Sequence, residues 1–375
     1  MVLAHEWLLS ASGSDKTAAE IARSFDPVRD EVVVVTAAAD PAIAEALFPG
    51  IEVRTLWTDR LPGVDRHWKH YAPALLGAWS TARMPEGDLL VSSSHFATKA
   101  AGAHFDGPHV TYCHSPLRFA WRPDLEDDRL GGLAGVVGRG LRPSLRRWDR
   151  WSADQVTAFV ANSHSIAERI EQCYGRETTV IHPPVEVERF RHVRRSASPS
   201  HHLCFGRLVG YKRVDLAVEA CTRAGLPLVV AGSGPELERL RSIAGPTVRF
   251  EPEVSDERYL ELLADSISLL FPGEEDFGIV PVEVMAAGVP VVAYGRGGAL
   301  DTVVDGVTGA LFDEQTVESL SSAIERLSDL RADGMGADEM VRRFSSERFR
   351  DEFAALADRV VHEARRPVRA VVASA

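Results

Sequence analysis

The chain has 375 residues, 45% apolar and 26% charged, a soluble globular composition that leaves no room for a mainly disordered or fibrous protein. At roughly 100 to 200 residues per domain it should form two domains. With 54 acidic and 42 basic side chains the formal net charge is −12, which argues against a general nucleic-acid binder, whose footprint would be basic; an anion would have to be held by a few cations placed locally.

The first residues, MVLAHEWLLSASGS, have no basic leader region, and His5 and Glu6 interrupt the apolar stretch, so no secretory signal is expected. No run approaches the ~18 apolar residues of a membrane span. The first strand, VLAH at 2–5, is very short, and the loop SGSDK at 12–16 follows it. Further strands are expected at EVVVVT (31–36), DLLVSS (88–93), HVTYC (109–113), TAFVAN (157–162) and TTVI (178–181), with Ser163 capping a helix over 164–174. The acidic run from Asp124 to Asp128 reads as solvated surface rather than a ligand set. From Arg139 to Trp151 an arginine-rich helix places Leu141, Leu145 and Trp148 on one stripe, and Pro143 is expected to shorten it. That stripe either packs inward or rests on an anionic membrane surface. Every tryptophan falls within the first 151 residues; bulkier packing of this half is the simpler explanation, an aromatic-lined cleft for a sugar, lipid or aglycone the sharper one. The four cysteines, Cys113, Cys173, Cys204 and Cys221, form no CxxC pair, so reduced thiols in a cytoplasmic protein are expected.

HPPVEVERF at 182–190 leads into a serine-rich stretch at 194–200, and its paired prolines enforce the extended backbone of an interdomain crossing. Beyond it, apolar runs at 202–205, 226–231, 247–250, 267–271, 289–294 and 309–312 alternate with helical patterns at 213–224, 235–243, 256–264, 280–287 and 316–328. Continuous apolar strands separated by helices indicate a parallel sheet covered on both faces. The fold class is therefore α/β with two Rossmann-like domains, 1–184 and 185–346, followed by a C-terminal segment, 347–375, whose helix returns toward the first domain and whose last residues, ARRPVRAVVASA, fray.

The stretch FPGEEDFGIVPVEVMAAGVPVVAYGRGG at 271–298 is the most informative. A strand ends at Phe271, a loop carries Glu274, Glu275, Asp276, Phe277 and Gly278, and Pro281 suits the first position of a helix. Loops after the carboxyl ends of parallel strands bind ligands, and the free amides of a helix start suit a diphosphate. Glu275 and Glu283 are placed to accept hydrogen bonds from vicinal hydroxyls, although a helix start favours glutamate anyway. Arg207 and Lys212, in GRLVGYKR, follow a strand without Walker A spacing. AGSGPE at 231–236 lacks the third glycine of a dinucleotide fingerprint, which weakens an oxidoreductase reading.

The Glu275 to Glu283 stretch resembles the EX7E signature of the retaining GT-B glycosyltransferases of family GT4, and the resemblance extends through YCHSPLRFAW (112–121), FVANSHSIAERI (159–170), VIHPPVEVERF (180–190), FGRLVGYKRVDLAVEA (205–220) and AGSGPELERL (231–240). Its flavour is that of bacterial mannosyltransferase-like members active in polysaccharide biosynthesis. The resemblance implies a GT-B architecture in which Arg207 and Lys212 hold the diphosphate of a nucleotide-sugar donor. Glu283 would bind the ribose, Glu275 with Asp276, Phe277, Gly278, Ile279 and Val280 the donor sugar, and the Val254 backbone the base. His114 would face the sugar from the first domain, beside Gly13 and Ser14. The loop Ser12, Gly13, Ser14, Asp15 departs from the family's paired glycines and glutamate. GDP-mannose is the favoured donor, with UDP- or dTDP-sugars open; the acceptor is a glycan, lipid-linked sugar or metabolite. No metal and no cofactor are expected, nor a nucleic-acid partner. An epimerase of GT-B fold and a catalytically silent nucleotide-sugar-binding protein are the alternatives.

Overall fold

The computed structural model describes residues 1–10, 12–125, 132–330 and 337–365. Thirteen strands form two sheets among them. The first contains β1 (Val2–His5), β2 (Val33–Thr36), β3 (Glu52–Thr55), β4 (Leu90–Ser94), β5 (His109–Cys113), β6 (Ala158–Ala161) and β7 (Thr178–Val180). The second contains β8 (His201–Phe205), β9 (Leu228–Ala231), β10 (Val248–Glu251), β11 (Ser266–Phe271), β12 (Val291–Tyr294) and β13 (Gly309–Phe312). Their orders are β3-β2-β1-β4-β5-β6-β7 and β10-β9-β8-β11-β12-β13, and every pairing is parallel. In each sheet the chain starts centrally, winds one way, then reverses. The reversal lies between β1 and β4 in one domain and between β8 and β11 in the other, and the crevice at such a point is where open α/β sheets bind ligands.

Central strands are buried on both faces, as their apolar runs require; β1, β2, β4, β5 and β9 are buried throughout. The edge strand β3 was not expected. Its sequence, EVRT, is mostly exposed, and a charged edge that resists further pairing carries little apolar signal. Each sheet is covered on both faces by apolar side chains. In the second domain Leu203, Leu269 and Val291 point to one side, and Cys204, Leu270 and Val292 to the other.

Two expectations need correction. Pro143 does not shorten its helix, which runs from Gly132 to Ala153; the proline lies on the exposed side, where water can take the carbonyl that loses its partner. Nor is the stripe uniform. Leu141 is exposed and Leu145 half-buried, whereas Trp148 packs inward and its Nε1 donates to Ser80 Oγ at 3.0 Å. Next to it Asp149 meets the wholly buried Lys99 at 3.2 Å and accepts from Trp121 Nε1 and Tyr174 Oη. Of the acidic run, Asp124 pairs with Arg122, while residues 126–128 lie outside the described residues, as does the tail from 366. All four cysteines are free and buried, and no helix among the described residues is long and apolar enough to cross a membrane.

After the second domain the helix Ser346–Arg365 lies against the first sheet. Phe349, Phe353, Leu356 and Ala357 join Leu3, Val34 and Tyr112 in one core, and Arg350 pairs with Glu20 at 2.8 Å. The chain thus passes between domains twice. The two passages lie side by side, with Val185 N donating to Phe344 O at 2.9 Å and Arg348 Nη2 to His182 O at 2.8 Å.

Candidate active site

The two loops bordering the β8/β11 reversal carry most of the residues singled out in the sequence. After β8 the chain turns at Gly206 and passes exposed Arg207 into the short turn Gly210–Lys212. Arg207 makes no ion pair with any described residue. The neighbouring loop after β9 fits only because it is glycine. A Cβ on Gly232 would stand 2.1 Å from the Gly206 carbonyl oxygen, and Gly232 has φ +131°. Lys212 Nζ lies 2.9 Å from Glu275 Oε1. Burial is the largest influence on the Lys212 ammonium and would lower it, but Glu275 and Tyr211 together outweigh burial and hold the pKa above the usual lysine value. Apart from this ammonium, Glu275 Oε1 is buried with no other donor among the described residues, so the oxygen can still accept from a ligand hydroxyl.

After β11 the loop leads into the helix Ile279–Ala286. Gly278, at φ 84°, is its N-cap, so Pro281 is the third helical residue rather than the first; its missing N–H is still one that no helical carbonyl would have used. The N–H groups of Phe277, Gly278, Ile279 and Val280 find no partner among the described residues, leaving an anion site at the helix start. The Phe277 ring itself is buried, stacked on His182 with centroids 5.6 Å apart, so only its backbone faces a ligand. Gly298 N donates to Glu275 O at 2.8 Å and holds the loop from behind.

Glu283, one turn further along, accepts a hydrogen bond from Tyr259 Oη at 3.2 Å, and Tyr259 stacks on Phe205 at the end of β8 at 3.8 Å. Burial raises the Glu283 carboxyl to about 7, with the Tyr259 bond opposing the shift. Val254, half-buried in the loop after β10, has a backbone N–H with no partner among the described residues.

The opposite wall comes from the first domain. Gly13 opens the helix Gly13–Arg23, and a Cβ there would sit 2.7 Å from Ile279 Cδ1, so the two helix starts nearly touch. Ser14 bonds Ser12 through their hydroxyls at 3.0 Å. Asp15, the acid that departs from the family pattern, is consumed locally: it meets His5 Nε2 at 2.7 Å and accepts from Ser12 N at 2.8 Å, closing half of a capping box. His114 follows β5; its Nε2 bonds Ser93 Oγ at 2.9 Å, and Nδ1 has no described partner. Burial, reinforced by His95 and His5, pushes its pKa down to about 3, so the imidazole is neutral. His95 stands 6.2 Å from it, beside a half-buried aromatic group in which Trp7 and Trp68 lie 4.3 Å apart with Phe96 6.2 Å from each.

The structure therefore brings Lys212 to Glu275 just before the helix amides, with Arg207 on the same loop as Lys212 and Glu283 one turn along the helix; Gly13 reaches Ile279 from the first domain, where His114 follows β5, and Val254 lies in the loop after β10. Asp276 is different. Its carboxylate is taken by Arg118 and Arg169 of the first domain and its carbonyl by Ser163, leaving only its backbone N–H for a ligand. Sequence reasoning missed Tyr259 and the arginines Arg118, Arg122 and Arg169, which no local spacing marks. Among the described residues one set, His164, His182 and Asp301, has metal-ligand proximity; it includes none of the crevice residues, and His164 Nδ1 is already bonded to Asp301 at 2.5 Å.

Known proteins share this fold. HepE from Anabaena, solved with UDP-glucose, superposes with a TM-score of 0.67 over 96% of this chain and 99% of its own at 18% identity. Sucrose-phosphate synthase from Thermosynechococcus elongatus does so with a TM-score of 0.72 over 97% and 100% at 16% identity. These likenesses, with the two parallel sheets, establish a GT-B fold. The family model of glycosyltransferase family 4 matches residues 11–189, and that of glycosyl transferases group 1 matches residues 188–347. The chain belongs to the glycosyltransferases of the GT4 type. Its relatives include the glycogen synthase of Mycobacterium tuberculosis, 25% identical over 82% of this chain and 74% of the relative. The D-inositol 3-phosphate glycosyltransferase of Mycobacterium bovis is 27% identical over 80% and 67%. Neither is specifically a mannosyltransferase.

Proposed function

We propose that the protein transfers a hexose, with retention of anomeric configuration, from a nucleoside-diphosphate sugar to an acceptor hydroxyl. The observation that carries this reading is the pair of loops at the β8/β11 reversal, one carrying Lys212 and the exposed Arg207 and the other Glu275, ion-paired to Lys212, followed by unpartnered amides at a helix start. Arg207 and Lys212 neutralise the diphosphate as the anomeric C–O bond breaks, and the amides around Gly278 add fixed dipoles; preorganised donors aimed at developing charge are the largest catalytic contribution in most enzymes. Glu275 Oε1 takes a donor-sugar hydroxyl, and Glu283 takes the ribose. The new bond from the acceptor oxygen forms on the face the diphosphate leaves, and a diphosphate oxygen receives the acceptor proton. Neutral His114 offers Nδ1 to the sugar without competing as an acid.

The family-level preference for mannose draws no support from these relatives. UDP-glucose therefore leads the donor panel, because HepE is solved with it, with GDP-mannose and dTDP-glucose beside it. Calorimetric titration of that panel against wild type, Arg207→Ala and Glu275→Ala is the test. At least one donor should bind the wild type, and each variant should weaken it about tenfold or more. No donor bound by the wild type would remove the function, and donor heat unchanged in both variants would remove the site. Proton NMR of the product decides the anomeric outcome, and incubation without acceptor excludes epimerisation.

A further inference from the structure

Glu274, Glu275 and Asp276 alternate in direction. Glu275 turns to Lys212 within the second domain, while the acids on either side reach the first. Glu274 Oε1 accepts from Arg122 Nη1 at 3.0 Å and Arg169 Nη2 at 2.6 Å. Asp276 Oδ1 accepts from Arg169 Nη1 at 2.7 Å, and Oδ2 from Arg118. Ser163 Oγ donates to the Asp276 carbonyl at 2.5 Å. Arg169 thus bridges both flanking acids, and its side chain is nine-tenths buried. Asp124 also pairs with Arg122 at 2.7 Å, so three cations face three acids. Arg118 and Arg122 lie just beyond His114 on the same segment, and the Arg118 guanidinium stands 5.9 Å from the ring of Tyr211, next to Lys212.

We propose that Glu274 and Asp276, clamped by Arg118, Arg122 and Arg169, are positioning residues: the Glu275 carboxylate acquires its place at the donor sugar only when the first domain is docked, so forming the sugar subsite and bringing up His114 are one event. The proposal rests on the assignment of Glu275 to the donor sugar. Nucleotide alone is held by Arg207, Lys212 and Glu283, none of which touches the clamp, so the clamp should govern turnover rather than nucleotide affinity. A displacement of an ångström at the reacting centre is enough to lower a rate about a hundredfold.

Arg169→Ala, the nearly isosteric Asp276→Asn and their combination test it. Turnover should fall about tenfold or more in each single variant and hardly further in the double, as expected for residues acting as one unit. UDP affinity should stay within about threefold of wild type. The distance between domains is read by energy transfer between labels at Val28→Cys and Glu238→Cys, both highly exposed, the native cysteines being buried; transfer should decrease in the variants. Unchanged turnover, unchanged transfer efficiency, or a loss of UDP affinity as large as the loss of turnover would each overturn the clamp. A wild type that consumes no sugar nucleotide would instead count against the proposed function, and the energy-transfer comparison would still decide whether the arginines hold the domains together.

Discussion

Glu283 shows how far one side chain's setting departs from its composition. Burial lifts its pKa from 4.5 to about 7, and at about 1.4 kcal/mol per unit this is on the order of 3 kcal/mol. An acid whose folded-state value is raised contributes its full stability below the unfolded value and loses it as the pH rises through the folded one. The unliganded protein should therefore unfold more readily at pH 8 than at pH 5 through this group, and Glu283→Gln should flatten that trend in thermal denaturation. If Glu283 takes the ribose as proposed, the ribose hydroxyls donate best to the ionised form, so a UDP-glucose donor, whose diphosphate does not titrate near neutrality, should bind more tightly at pH 8 than at pH 6; the same substitution should remove the difference in calorimetry. The sequence made Glu283 and Glu275 visible through their spacing and the family motif. It could not show Tyr259 beneath Glu283, nor Arg169 against Asp276, because those contacts depend on where elements 24 and 107 residues apart come to rest.

At the level of elements, the apolar runs marked the interior strands because two buried faces leave no polar position. β3 escaped notice because its sequence, EVRT, is mostly exposed and half of it is charged, whereas the other edge strands keep enough apolar residues to be read. Loop geometry was less legible, since Pro281 suits several positions in a first turn, and the close loop approaches follow from absent atoms rather than present ones. These approaches separate two glycine substitutions. Gly232→Ala would meet backbone that cannot rotate aside, at a φ that alanine tolerates poorly, so it should lower the melting temperature by several degrees, about 1–3 kcal/mol, and weaken nucleotide binding. Gly13→Ala meets only the tip of Ile279, and its melting temperature should stay close to wild type. Equal losses in scanning calorimetry would show that the β8 and β9 loops have more freedom than their contacts imply.

For the whole molecule, the last helix makes the first domain depend on residues synthesised after the second. Leu356 is almost fully buried against the first sheet, and Leu356→Ala should cost about 2–5 kcal/mol. Calorimetric unfolding should show the loss in the transition belonging to the first domain, with UDP affinity at low temperature unchanged because the donor crevice is built elsewhere. A drop confined to the other transition would mean that the helix stabilises the wrong half.

The paired interdomain passages have a mechanical consequence. Since Val185 is bonded to Phe344 and Arg348 to His182, the halves are joined like a door on a double hinge, and any swing that keeps these bonds would have to pivot about that one short axle. Each swing would bring the arginines back to the same acids, so this enzyme would need no search to find its working alignment.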